Sequence, residues 1–240
     1  MSRERVGEVH HALRHNLFSH KRAVLFMVAV IMFLVVLQNM LAGDILRLDY
    51  YAYRIFVVRM RRAWLTPIMR SISELALPGV LLVMLLAVHA FAPGRRPGLC
   101  AAVNLVGVVA LNQMCKFLVQ RPRPEGFRLI AESGYSFPSG HSMVAMAFYG
   151  LLAWMAWHYE RDPFVRRVSV AGFTLVVVLV GISRIYLGVH YASDVIAGFC
   201  LAAAWLAVYV TVVAPIFLPE EETGLGMDDK AIRDTRGTPE

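Results

Sequence analysis

The chain has 240 residues, 58% of them hydrophobic and 17% charged, with a mean hydropathy of +0.57. Those values exclude an ordinary soluble domain and place the chain among membrane proteins. The formal net charge of +7 would raise nucleic acid as a partner in a soluble protein, but the arginines here fall between apolar segments, where anionic lipid headgroups are the natural counter-ions.

Residues 1–22 form a polar leader carrying His10, His11, His15 and His20. The apolar run 23–42 that follows is too long for the apolar part of a cleaved signal peptide, so it is read as the first membrane helix. Residues 43–73 combine Arg47, Arg54 and Arg61, seven apart, with Tyr50, Tyr51, Tyr53, Phe56 and Trp64. On a helix that spacing stacks the arginines into one stripe, which predicts an amphipathic helix lying at headgroup level between the first two spans. A loop with solvated charges is the alternative. Residues 75–91 are the second span, closed by the turn-forming Ala92-Pro93-Gly94-Arg95-Arg96-Pro97.

The third span, 98–119, holds Asn104, Asn112, Gln113 and Lys116, and polar groups at such depths face other helices or a cavity. Residues 120–137 form a loop, because the two prolines of Arg121-Pro122-Arg123-Pro124 cannot both sit inside a helix. Ser139 or Gly140 caps the fourth span, which continues to Tyr159. A short charged connection, 160–167, leads to the fifth span, 168–187. Gly188 breaks the chain before the sixth, 191–217, and the charged tail closes it. The reading is an all-α, polytopic membrane bundle of six transmembrane helices, divided into a leader (1–22), a membrane domain (23–218, core motifs 116–194) and a tail (219–240). Cys100, Cys115 and Cys200 are odd in number and lack paired spacing, which argues for packing over a disulfide framework or a zinc site.

Six spans place both termini on one side, and parity then brings three polar clusters to one face: the exits of spans three and five and the entrance of span four. Lysines and arginines are nearly balanced between the two faces. Once the cationic cluster residues are set aside as functional, the positive-inside rule puts the termini in the cytoplasm and the clusters outside.

The clusters carry chemistry. Lys116, Arg123 and Arg184 bring three cations to one small site, an arrangement that an anion must neutralise and that suits phosphate oxygens. Ser139 and Gly140 open a helix whose N–H groups and positive dipole end also favour an anion. Asp194 follows His190 by four residues and so shares its helical face. A carboxylate on one imidazole nitrogen fixes the tautomer and frees the other to attack, making His190 the candidate nucleophile and Asp194 its partner. His141 is the candidate general acid for the leaving group. His141, His190 and Asp194 could by type hold a metal, but three adjacent cations repel a divalent ion. No metal and no cofactor is therefore expected. The leader histidines and His89 lack a carboxylate at a telling spacing.

Lys116-x6-Arg123-Pro124, Pro138-Ser139-Gly140-His141 and Ser183-Arg184-x5-His190-x3-Asp194 together resemble the three-part signature of the type 2 phosphatidic acid phosphatase family, which shares its site with vanadium-dependent haloperoxidases. Arg121-Pro122 offers a competing pair, but only Arg123-Pro124 has the family's spacing from Lys116. The resemblance covers residues 75–217. It implies a six-helix, metal-independent membrane phosphatase working through a phosphohistidine on His190, with His141 as acid and Lys116, Arg123, Ser139, Gly140 and Arg184 cradling the phosphate. It also implies a bacterial inner-membrane protein whose site faces the periplasm or cell exterior. The expected partner is a phosphorylated lipid, such as undecaprenyl pyrophosphate or a lipid of the phosphatidylglycerophosphate or phosphatidic acid class. Substrate selection is expected in residues 43–73. Two alternatives are a lipid phosphotransferase using the same phosphohistidine and a non-catalytic lipid-binding or transport protein.

Overall fold

The computed structural model describes residues 21–42, 47–92 and 96–218, and most of the expected leader, the middle of the turn after the second span and the whole charged tail lie outside them. Among the described residues all the regular structure is helical: α1 Lys21–Leu41, α2 Arg47–Ala52 continued by a wider π-type coil Tyr53–Arg59, α3 Leu65–Glu74, α4 Pro78–Phe91, α5 Pro97–Val119, α6 Gly140–Tyr159, α7 Pro163–Tyr186, α8 Ala192–Val212 and α9 Ala214–Phe217. Four of them, α1, α5, α7 and α8, are long and apolar enough to cross a membrane. Together α3 and α4 would make a fifth crossing, bent by 55°.

The centre of the bundle is α6, which packs against α5, α7 and α8 and buries Met143, Phe148, Leu151 and Met155 among their side chains. It starts at Gly140 and ends at Tyr159 as the sequence predicts, and at 20 residues it is about 30 Å long, the thickness of a bilayer core. It is nevertheless absent from the helices apolar enough to qualify as spans. The reason is its setting: a helix surrounded by protein on most sides can carry His141, Ser142 and His158 where a lipid-facing helix could not. The outermost helix, α1, is the converse. It buries only Ala29, leaves Leu25, Ile31, Leu34 and Val35 exposed, and leans on α8.

Two expectations are corrected. The second span is not a straight helix over 75–91, because α4 has only 14 residues, about 21 Å, too short for a bilayer core by itself. It starts at Pro78, whose missing N–H and fixed φ suit a first helical position, and the bend across residues 75–77 joins it to α3. Residues 65–74 and 78–91 reach crossing length only as a bent pair.

Nor do residues 43–73 form one amphipathic helix with an arginine stripe. α2 stops at Ala52, the π-type coil changes the angular spacing, and the chain leaves helical form after Arg59. Arg61 turns inward: its Nε and Nη2 donate to the Tyr186 carbonyl at 3.0 and 2.8 Å, and Nη2 also to the Phe127 carbonyl at 2.8 Å. A cation at the C-terminal end of α7 meets the negative end of that helix dipole. Arg70 Nη2 donates to the Leu129 carbonyl at 2.8 Å. These arginines hold the 120–139 loop and the end of α7 instead of forming a common stripe, because exposed carbonyls of neighbouring segments offer them partners.

Candidate active site

α5 carries Lys116 in its last turn and stops at Gln120, which adopts a left-handed conformation at φ 51°. Arg121 and Arg123 each precede a proline, which disfavours helix and keeps the chain extended. In extended backbone residues i and i+2 project to the same side, so both arginines reach the start of α8. The loop that follows is sewn to its surroundings by Ser136 N–H donating to Arg121 O at 2.8 Å, Leu129 N–H to Leu187 O at 2.9 Å and Ser139 N–H to Asp194 O at 3.1 Å.

Ser139 caps α6. Its Oγ accepts from Ser142 N–H at 3.4 Å and from Ser142 Oγ at 2.9 Å, which leaves the N–H groups of Gly140 and His141 without a partner among the described residues. α8 comes close at this point because residue 198 is glycine: a Cβ there would meet Ser139 O at 2.9 Å. Between α7 and α8 the chain reverses at Gly188, φ 75°, where a Cβ would also strike the Phe127 carbonyl at 2.5 Å, so the predicted break requires glycine.

His190 lies in that reversal, 3% exposed. Its Nδ1 is 3.4 Å from Asp194 Oδ2 and 3.3 Å from Ser136 Oγ, while Nε2 is 3.1 Å from Arg123 Nη1. A guanidinium can only donate, so Nε2 carries the lone pair and the proton sits on Nδ1, shared with Asp194. Burial pushes the imidazole down to about 4, against the pull of Asp194 and with Arg123 and Arg184 adding to the fall. His190 is therefore neutral at pH 7. Asp194, fully buried, is held by Ser136 Oγ, by Tyr191 N–H at 3.0 Å and by Arg121 Nη1 at 2.6 Å.

A cavity of about 440 Å³ opens over this arrangement, lined by Lys116, Arg123, Gly140, His141 and His190 among the predicted residues. Ser139, Arg184 and Asp194 stand behind its wall. Lys116 Nζ donates to Tyr135 O at 2.5 Å. Arg123 is fixed by the carbonyls of Ser133, Gly134 and Val189 at 3.0–3.1 Å, and Arg184 Nη1 by Ser73 Oγ at 2.6 Å. Fixed cations, free helix N–H groups and an imidazole lone pair facing one polar cavity can bind a phosphate and attack it. Among the described residues no three His, Cys, Asp or Glu side chains are grouped to hold a metal ion.

Sequence reasoning missed four participants. Glu132 bridges Arg184 and Arg123, bonded to the first and 3.6 Å from the second, and those cations hold its carboxyl below the ordinary carboxylate range although burial pushes it up. Arg121, set aside as a competing motif arginine, bonds Asp194 and lies 3.3 Å from Asp49. Asp49 comes from α2, and Ser136 completes the environment of Asp194. The signals available were a lone acid beside an arginine-rich loop and the doubled Arg-Pro.

A family model described as the PAP2 superfamily matches residues 97–217. The chain is 36% identical over 152 residues to phosphatidylglycerophosphatase B of Bacillus subtilis, covering 60% of this chain and 73% of the relative. It is 30% identical over 132 residues to the undecaprenyl-diphosphatase of Sulfolobus acidocaldarius, covering 51% and 59%. In structure it is similar to the transmembrane PAP2-type phosphatidylglycerolphosphate phosphatase of Bacillus subtilis, with TM-score 0.67 and 29% identity over 80% of this chain and 95% of that one. Its fold also matches that of LpxE from Aquifex aeolicus, with TM-score 0.54 and 21% identity over 66% and 92%.

Proposed function

The chain belongs to the PAP2 superfamily and is a multi-pass membrane phosphatase, and from that premise we propose that it hydrolyses a lipid phosphomonoester or diphosphate through a phosphohistidine on His190. The observation that carries the proposal is the two-sided hold on that imidazole: Asp194 at Nδ1, and the Nε2 lone pair facing the polar cavity beside Arg123.

In the first step Nε2 attacks phosphorus, the bond from phosphorus to the lipid oxygen breaks, and His141 gives its proton to that oxygen. Asp194 stays ionised and steadies the developing positive charge on the ring. In the second step water attacks the phosphohistidine, the P–N bond breaks, and His141 takes up the proton from water. Lys116, Arg123, Arg184 and the N–H groups at the start of α6 hold the phosphoryl oxygens throughout. These cations and N–H groups neutralise the transferring group without calling on a metal.

The substrate class is undecaprenyl pyrophosphate or a lipid of the phosphatidylglycerophosphate and phosphatidic acid type. The relatives named for phosphatidylglycerophosphate and undecaprenyl diphosphate support this choice. The chain is read as crossing a bacterial inner membrane six times, with α6 as the fourth crossing and α3 and α4 together as the second, and the positive-inside balance of its lysines and arginines supports a site on the outer face.

The test is phosphate release by the purified protein over a panel of phosphatidic acid, phosphatidylglycerol phosphate, undecaprenyl pyrophosphate and lipid A. His190→Ala and His141→Ala are each expected to abolish turnover while the protein still inserts and folds, and 32P from a labelled substrate is expected on His190 after an acid-free quench. Near-normal release by His190→Ala overturns the assignment.

A further inference from the structure

Two arginines separated by one proline flank His190 in different ways. Arg123 touches the reacting nitrogen directly. Arg121 never reaches the ring. Its Nη1 donates to Asp194 Oδ1 at 2.6 Å and to Ser193 Oγ at 2.8 Å, and its guanidinium carbon lies 4.1 Å from the centre of the Tyr191 ring. It thus grips Tyr191, Ser193 and Asp194 of the α8 start at once.

The grip has an anchor. Asp49, 5% exposed, lies 3.3 Å from Arg121 Nη2. Its Oδ1 accepts from Ser193 N–H and its Oδ2 from Ser193 Oγ, both at 2.7 Å. Neither belongs to the motifs read from the sequence. We propose that Arg121, anchored by Asp49, is a positioning residue of the reaction: it fixes the Asp194 carboxylate so that His190 keeps its proton on Nδ1 and presents Nε2 to the phosphorus.

The argument rests on how Asp194 divides its two oxygens. Oδ2 serves His190, Ser136 and the Tyr191 N–H, whereas Oδ1 has Arg121 as its partner. The carboxylate is wholly buried, so without Arg121 no water replaces the lost partner. The group then turns to share its remaining donors or takes up a proton, and either change weakens the hold on Nδ1–H. The proton can then settle on Nε2, where it occupies the attacking lone pair. The other cations at the site are engaged elsewhere. Arg123 is bonded to Nε2 and three carbonyls, Arg184 to Ser73 and Glu132, and Lys116 to Tyr135.

The inference rests on the phosphohistidine reading above, and the experiment separates the two. The full chain, reconstituted in lipid nanodiscs, is assayed for phosphate release as wild type, Arg121→Met, Arg121→Lys and Asp49→Asn. The 15N signals of the His190 ring, identified by their loss in His190→Gln, report its tautomer. Arg121→Met is expected to lower kcat about 100-fold with KM within about threefold, the pattern of a group that acts on the transition state without touching ground-state phosphate. Arg121→Lys is expected to recover kcat to within about tenfold of wild type, since an ammonium still reaches Oδ1. The His190 signals are expected to show the Nδ1–H form in wild type and a mixture in Arg121→Met.

An unchanged kcat in Arg121→Met overturns the inference, as does a loss confined to KM, which would make Arg121 a phosphate ligand. If Arg121→Met fails to fold, Arg121→Lys and Asp49→Asn decide: lysine must keep kcat within about tenfold of wild type, and Asp49→Asn must lower kcat with KM unchanged. If the wild type releases no phosphate from any lipid, the phosphohistidine reading fails, and the tautomer signals alone then uphold or overturn the role of Arg121.

Discussion

Glu132 stands where the phosphate of a substrate would meet Arg184 and Arg123. Its carboxylate bonds Arg184 and lies 3.6 Å from Arg123, so in the unliganded protein it neutralises cations that a substrate must claim. Glu132→Gln removes that competition, and vanadate, a phosphate mimic, is expected to inhibit the variant about tenfold more tightly, ~1.4 kcal/mol. The same variant leaves the buried Arg184 guanidinium without its counter-ion and is expected to unfold at lower temperature in the absence of vanadate. The pair's pH dependence has a definite sign. Because Glu132 is held below its ordinary pKa, its contribution to stability is present above the ordinary carboxylate range and is lost as pH falls through the lower folded value. His190 sets the acid limit of activity: with its imidazole pushed down to about 4 by burial, kcat/KM is expected to hold through pH 5–6 and fall towards pH 4, where an unburied histidine would fail near its reference value of about 6.5. The residues proposed to hold phosphate could be picked out because their types and spacings carry the chemistry, and five of the predicted site residues line one cavity. Glu132, Arg121, Asp49 and Ser136 were not, since each gains its meaning from a partner 52 to 144 positions away that no local spacing encodes.

At the level of elements, the start of α6 is shaped by the helix beside it. Gly198 lets α8 lie against the Ser139 carbonyl and the Ser142 side chain, beside the N–H groups proposed to hold phosphate. Gly198→Ala inserts a Cβ at 2.9 Å from that carbonyl and is expected to lower stability by about 1–3 kcal/mol. Phosphate release should fall further than unfolding explains, because the displaced group is the start of the phosphate cradle. Thermal unfolding beside a turnover assay distinguishes the two losses. The sequence located α5 and α6 to within a residue at each end, the latter helped by Ser139, whose side chain suits a helix start; it began α7 five residues late because Asp162 and Pro163, which cap and open that helix, were read as part of the charged connection. It did not reveal the bend between α3 and α4, although Pro78 marks it. An apolar run that continues through residues 75–77 looks the same whether the axis turns there or not. The arginine stripe failed for a related reason: periodicity assumes one unbroken helix, and the π-type coil at Tyr53–Arg59 cancels that assumption.

For the whole molecule, the three polar clusters meet at one end of the bundle, where the end of α5, the start of α6 and the turn between α7 and α8 line one cavity. Reporter fusions at Gly126, a turn glycine with open space around it, and at the C-terminus test the direction. A reporter that works only outside the cytoplasm is expected to be active at Gly126 and silent at the C-terminus, and the reverse pattern would place the site inside. The family match begins at residue 97, yet Asp49, Arg61, Arg70 and Ser73 all reach from before it to groups at the site or to the loop and helix ends that carry it. The front of the chain is therefore part of the machinery. Asp49 shows what this means. Losing it leaves Arg121 paired with Asp194 alone and Ser193 without its acceptor, and losing Arg121 strips two buried carboxylates of their shared counter-ion. A change at either position is therefore felt at the other, and the segment before residue 97 and the motifs after it are coupled through this pair.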